Sequence, residues 1–131
     1  MKFSISARRS HLDMRWIIAA LQSSYWGGHL TPQQIMRACD KSLCFGAYVD
    51  DHQIGLCRVI TDQAMNSAIT DMIVQPELRR MGVGSALVEA VVTHPWVRPT
   101  ICVLASRDAR PFYSRFGFRE VGGDVMLRDP R

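Results

Sequence analysis

The apolar residues of this chain change their period along its length, and each change marks an element. Phe3-Ser-Ile-Ser alternates and predicts a short first strand. Over 11–22, Leu12, Trp16, Ile17 and Leu21 recur at helical spacing, with Ser10 placed to cap the helix. The glycines of Tyr25-Trp26-Gly27-Gly28-His29-Leu30 break that pattern and predict a loop. Thr31-Pro32-Gln33-Gln34 then aligns three start signals: a capping hydroxyl, a proline in the first helical position, and a glutamine that completes a capping box. The helix it opens carries Ile35, Met36 and Cys39 and ends near Lys41.

Beyond Lys41 the pattern shortens to strand length. Residues 43–49 and 54–60 predict two strands joined by the polar turn Asp50-Asp51-His52-Gln53, and 68–74 predicts the third strand of a meander. Pro76, which has no amide proton for a ladder, ends that strand. Helical spacing resumes after Gly84 at Leu87, Val88, Val91 and Val92 and stops at His94-Pro95. Thr100-Ile-Cys-Val-Leu-Ala105 has the β-branched, apolar character of a buried strand, and 108–116 reads as a short helix closed by Gly117. A last strand pair is expected at 118–121 and 125–127, turning at Gly122-Gly123. The order β-α-α-β-β-β-α-β-α-β-β predicts an α/β (α+β) fold with a sheet of mixed direction, in one domain covering 1–131.

Composition narrows what such a domain does. A chain of 131 residues, 47% hydrophobic and 21% charged, suits a globular domain with a full core. The longest apolar candidate, Trp16-Ile-Ile-Ala-Ala-Leu21, falls far short of the ~20 residues that cross a bilayer. The basic start (Lys2, Arg8, Arg9) is followed by no apolar secretory core, so the expected location is the cytoplasm, with no membrane partner. Cys39, Cys44, Cys57 and Cys102 have no zinc-ligand spacing, so no metal is expected and reduced, buried thiols are the favoured reading over a nucleophile. The net charge of +4 favours anionic ligands. The arginines are scattered, paired only at 8–9 and 79–80, which argues against nucleic acid as the partner.

The chemistry concentrates between strand and helix, in Arg79-Arg80-Met81-Gly82-Val83-Gly84-Ser85. Glycines there let the backbone turn sharply and approach a ligand, and the new helix adds free amides and the positive end of its dipole. With two guanidinium groups beside it, this is a cradle for a phosphorylated ligand. It is not the triphosphate loop, because no lysine follows Gly84, and not the dinucleotide fingerprint, because Leu87 occupies the third glycine position. The spacing that does fit is Arg-x-x-Gly-x-Gly at Arg79, Gly82 and Gly84.

That loop resembles the pyrophosphate loop of the GCN5-related N-acetyltransferases (GNAT), which bind acetyl-CoA. Ala109-Arg-Pro-Phe-Tyr113-Ser-Arg-Phe-Gly117-Phe118 is similar to the A-x-x-x-Y-x-x-x-G-F segment found late in the same family. Tyr25-Trp26 and Phe45-Gly46 look like a small bacterial branch, and the likeness covers essentially the whole chain. The resemblance implies a mostly antiparallel sheet of six to seven strands flanked by about four helices. It also implies acetyl transfer from acetyl-CoA directly to a primary amine, through a tetrahedral intermediate. A sensor that binds acyl-CoA without turnover is the alternative.

The same resemblance implies residue roles. Met72, Ile73 and Val74 would contact the cosubstrate and polarise the thioester carbonyl with a backbone amide. Arg79, Arg80, Met81, Gly82, Val83, Gly84 and Ser85 would hold its pyrophosphate. Tyr113 would protonate the leaving thiolate, although Phe112, Tyr113 and Phe116 at helical spacing also suit core packing. Asp71 is the first candidate for the base that deprotonates the amine, with Asp62 and His29 as others. Tyr25, Trp26 and His29 would line the acceptor side. Ser106 departs from the asparagine many members carry, and Asp108 is a candidate to replace its contact. A homodimer through an exposed C-terminal edge strand is an arrangement the family uses.

Overall fold

The computed structural model describes residues 1–130. Among the described residues five strands form one sheet: β1 (Ser4–Ser6), β2 (Leu43–Val49), β3 (His52–Thr61), β4 (Asn66–Val74) and β5 (Ile101–Leu104), in the spatial order β1-β2-β3-β4-β5. The first three pairings are antiparallel and the β4–β5 pairing is parallel. Four helices accompany them: α1 (Met14–Gln22), α2 (Pro32–Asp40), α3 (Val83–Thr93) and α4 (Arg110–Ser114).

Helices cover both faces, so the strands read as near-continuous apolar runs rather than alternating ones. Phe45, Ala47, Cys57, Val59 and Ile69 turn to one side and pack with Val83, Leu87 and Val91 of α3. Cys44, Leu56 and Ile73 turn to the other and pack with Ile17, Leu21, Ile35 and Cys39 of α1 and α2. The β2–β3 turn is tighter than the four polar residues suggested. Val49 pairs with His52, and Asp50 and Asp51 both take left-handed φ (48° and 68°), the two-residue geometry that matches strand twist. At the next turn the Asp62 carboxylate accepts the amides of Ala64, Met65 and Asn66 at 2.9, 2.7 and 3.0 Å.

The capping box at α2 forms as its sequence predicts, with Thr31 and Gln34 each accepting the other's backbone amide. Helix α1 begins later than expected. Asp13, not Ser10, is its cap, accepting the Trp16 amide at 3.1 Å, and Arg9–His11 is a separate 3-10 turn.

The expected strand pair at 118–121 and 125–127 does not form, which leaves five strands among the described residues instead of six or seven. Gly122–Asp124 is a 3-10 turn, and Val125, Met126 and Leu127 are 77%, 96% and 82% exposed. Phe118 packs on Tyr113, but the residues from 119 on are exposed and bury too little to hold an isolated hairpin. The sheet edge at this end is therefore β5 itself, with Ile101 and Val103 exposed, and no C-terminal edge strand stands beyond it among the described residues.

Candidate active site

The parallel β4–β5 ladder is short. Its last pair is Ile69 with Leu104, where β5 ends, while β4 runs on to Val74 still paired with β3. Five residues of β4 thus have no ladder partner on the β5 side, a gap in the ladder about 16 Å long at strand rise, here termed the wedge. The Gln75 amide donates to the Ile54 carbonyl at 2.8 Å, so the two-residue period turns the amides of Ile73 and Asp71 toward β3. The amides of Met72 and Val74 then face the wedge.

The mouth of the wedge is the start of α3. Arg80 and Gly82 both adopt left-handed backbone, at φ 67° and 87°, which coils the chain so that successive amides converge. Gly82 offers α3 no side-chain cap, and the first internal bond runs from the Ala86 amide to the Gly82 carbonyl. The amides of Val83, Gly84 and Ser85 are therefore free helix N-terminal donors, a site for an anion. A Cβ on Gly84 would lie 3.2 Å from the Met72 terminal methyl and 3.6 Å from the Phe112 ring, so its glycine lets α3 sit close over β4. A Cβ on Gly82 would meet nothing within 4 Å, so there the requirement is the φ alone. Arg79 donates to the Val74 carbonyl at 3.3 Å, and Arg115 reaches the Ser85 hydroxyl at 3.3 Å.

Helix α4 lies on the same side of the sheet. Tyr113 is buried, with its ring edge-on to Phe112 and Phe118 at 5.0 and 5.9 Å. Burial, helped by the nearby Cys57, pushes its hydroxyl up to about 12, so it stays protonated at neutral pH. On the opposite face of β4, Asp71 is held rather than free. Its carboxylate pairs with the cross-strand Arg58 at 2.6 Å and accepts the Trp26 indole N–H at 3.0 Å, and the residue is only 6% exposed. Arg58 in turn donates to Ser42 at 2.9 Å, and Ser42 donates to the Ala38 carbonyl at 2.6 Å.

Residues 19–129 match the model of the acetyltransferase (GNAT) domain family. The chain belongs to the GNAT family. A GNAT-family protein from Xanthomonas campestris pv. campestris superposes with a TM-score of 0.92 at 33% identity, covering 99% of this chain and 94% of that one. GCN5-related N-acetyltransferase 3, chloroplastic, of Arabidopsis thaliana is 34% identical over 78 residues, 56% of this chain and 33% of that protein. GCN5-related N-acetyltransferase 2, chloroplastic, of the same plant is 37% identical over 67 residues, covering 50% and 26%. The chain thus spans about a third or less of the length of these two plant relatives.

Within this GNAT domain the expected residues divide by position. Met72, Val74, Arg79, Arg80, Gly82, Val83, Gly84 and Ser85 gather around the wedge and its mouth. Val83 does so through its amide only, because its side chain is 1% exposed in the core. The Met81 side chain is half exposed on the loop. Ile73 is placed differently from the expectation: its amide faces β3 and its side chain packs in the α1–α2 cluster. Asp62 lies at the far end of β4, where three backbone amides hold its carboxyl below the usual range, so it stands away from the wedge. Asp108 and His29 are exposed loop residues. Ser106 accepts the Ala109 amide at 2.9 Å and so shapes the entry to α4. Cys39, Cys44 and Cys57 are buried free thiols, and burial pushes Cys57 up to about 12. Among the described residues no three His, Cys, Asp or Glu side chains converge as a metal site, and no helix is long and apolar enough to cross a membrane.

Sequence reasoning missed Arg58, Ser42, Arg107 and Arg115. Arg58 carried a signal, a lone charge inside the apolar run Ile54-Gly-Leu-Cys-Arg-Val-Ile60, which needs a buried partner. The others lie at positions where such a polar residue is ordinary surface until the fold is known.

Proposed function

We propose that this protein is an acetyl-CoA-dependent N-acetyltransferase that moves the acetyl group directly to a primary amine. The observation that carries the reading is the wedge between β4 and β5 with the uncapped start of α3 at its mouth. An extended pantetheine-like chain fits beside a strand that has lost its neighbour, and a pyrophosphate fits on free helix amides beside Arg79 and Arg115.

The chain's own groups supply the rest. The Met72 or Val74 amide donates to the thioester oxygen as negative charge grows on it. The amine nitrogen forms its bond to the carbonyl carbon and becomes positively charged. As the carbon–sulfur bond breaks Tyr113 gives a proton to the departing sulfur, while the nitrogen's extra proton passes to solvent and solvent reprotonates Tyr113. Asp71 is tied to Arg58 and Trp26, so we assign it the positioning of the α1–α2 loop rather than proton removal. The amine reaches the wedge already neutral, its proton lost to solvent. The pH dependence of kcat/KM then follows the acceptor's own pKa rather than that of a protein carboxylate.

Calorimetric titration with acetyl-CoA, with CoA and ATP as comparisons, tests the cradle. Micromolar binding of acetyl-CoA and weak ATP binding are expected, followed by free-thiol release when amines are added. Absence of acetyl-CoA binding would overturn the reading. Binding with no thiol release from any amine would instead identify an acyl-CoA sensor.

A further inference from the structure

The loop between α1 and α2 is fastened to both lips of the wedge. On the β4 lip, Trp26 donates to Asp71, two residues past the last β4–β5 pair. On the β5 lip, the Arg107 guanidinium lies over the Tyr25 ring, 3.9 Å from its centroid, three residues past the same pair. Tyr25 and Trp26 pack edge to face at 4.8 Å, which joins the two fastenings. The bridge so formed crosses the wedge on the face opposite α3, away from the phosphate cradle and on the side left for the acceptor.

The charges of this bridge are unequal. Asp71 is neutralised by Arg58, and Arg110 pairs with Glu120 at 2.7 Å. Among the described residues Arg107 has neither an ion pair nor a hydrogen bond. Its exposed guanidinium is held by the ring beneath it, with the donor edge left open. Tyr25 is itself 66% exposed, so the pair is presented rather than buried. An unpaired, oriented guanidinium suits a carboxylate or a phosphate and repels an acceptor carrying a second positive charge.

Resting on the acyl-transfer reading, we propose that Arg107, held by Tyr25, selects acceptors that are small amines bearing an anionic group. The reactive nitrogen enters the wedge while the anion stays on the bridge. Carboxylate and phosphate share this chemistry, and the test separates them.

The test compares acceptors matched except for the anion: phenylalanine with phenylalaninamide and phenethylamine, and glucosamine 6-phosphate with glucosamine. Rates are taken as kcat/KM per neutral amine. The wild type is expected to favour the anionic member of at least one set by about fivefold, the upper end for an ion pair at an exposed site. The favoured set names the anion. Arg107→Gln should remove the preference and Arg107→Lys should restore part of it. A role in loop structure alone would instead change both members of a set equally. Preference for the neutral or cationic members, or selectivity that Arg107→Gln leaves intact, overturns the proposal while acetyl transfer stands. Acetyl-CoA binding without turnover of any panel amine overturns it as well. Loss of acetyl-CoA binding in the wild type would point instead to failure of the acyl-transfer reading.

Discussion

Replacing Asp71 with asparagine separates a base from a structural anchor. The substitution keeps shape and one acceptor oxygen but removes the charge facing Arg58. Arg58 and Asp71 side chains are 15% and 9% exposed, so the pair is substantially buried and solvent screens it little. Breaking such a pair costs about 3–5 kcal/mol because the remaining charge is left uncompensated. The introduced amide oxygen would still accept from Trp26 or Arg58, and Ser42 still accepts from Arg58, which places the loss at the low end, about 3 kcal/mol. For a domain of this size that is a fall in Tm of roughly 10 °C, within the total stability of a typical domain, so the variant folds.

An anchor and a base then give opposite pairs of readings. As an anchor, Asp71→Asn lowers Tm by about 10 °C and reduces kcat by about tenfold at most, through a looser Trp26. As a base, it reduces kcat by roughly a hundredfold or more. Thermal melts and steady-state kinetics on the same preparation decide. A kcat loss beyond about a hundredfold with a Tm shift under about 3 °C would refute the anchoring argument. The double variant Asp71→Leu with Arg58→Met adds a control, since apolar replacement of both partners of a buried pair is often neutral. It should melt above Asp71→Asn, and a lower Tm would mean the ion pair is not the source of the loss.

The remaining expectations concern the cradle, the proton donor, the core and the thiols. Gly82→Val should weaken acetyl-CoA binding in calorimetry while the domain stays folded by circular dichroism. The cost is the left-handed φ of 87°, about 1–2 kcal/mol or more for a β-branched residue, and unchanged affinity would misplace the cradle. Tyr113→Phe should lower kcat by roughly a hundredfold with acetyl-CoA affinity retained, and unaltered turnover would remove Tyr113 from the mechanism. Tyr48 and Tyr113 are both raised to about 12 by burial, so the folded chain keeps protons that the unfolded chain releases near 10. Their contribution is full below pH about 10 and is lost as pH rises through about 12, which alkaline melts of Tyr113→Phe against wild type should show as a shallower decline. A thiol reagent at neutral pH should modify Cys102 before Cys39, Cys44 or Cys57, which are buried, and fast modification of Cys57 would contradict its placement.

Elements held by local chemistry were legible in the chain. Thr31, Pro32 and Gln34 specify the start of α2 by hydrogen bonds within four residues, and the loop that leads into α3 is likewise a contiguous string from Arg79 to Ser85. The errors fall where two local solutions compete or where a partner is remote. Ser10 and Asp13 both offer a capping oxygen three residues before a suitable amide, and only packing of Trp16, Ile17 and Leu21 selects between them. The 125–127 segment has strand-like residues, yet strand formation needs a covered edge, which no residue inside the segment can signal.

Asp71 shows the same limit within the site. Its place beside Met72 was evident, and nearness to the reacting strand made it a candidate base. Direction was not evident, because a strand sends alternate residues to opposite faces and the β-bulge between Arg58 and Val59 resets which residue faces which way. The structure puts Asp71 across from Arg58, on the face of the α1–α2 loop, and puts the Met72 amide toward the wedge. One step along the chain thus separates a side chain tied to Arg58 and Trp26 from an amide turned toward the wedge, which in the proposed mechanism divides anchoring from chemistry. The wedge exists because β4 outlasts β5 by five residues, a difference in length between strands far apart in sequence. The proposed cosubstrate loop is a run of contiguous residues, whereas the proposed acceptor side draws together Tyr25, Trp26, Asp71 and Arg107 from separate parts of the chain. Its chemistry becomes visible only when the two lips and the loop that joins them are seen together.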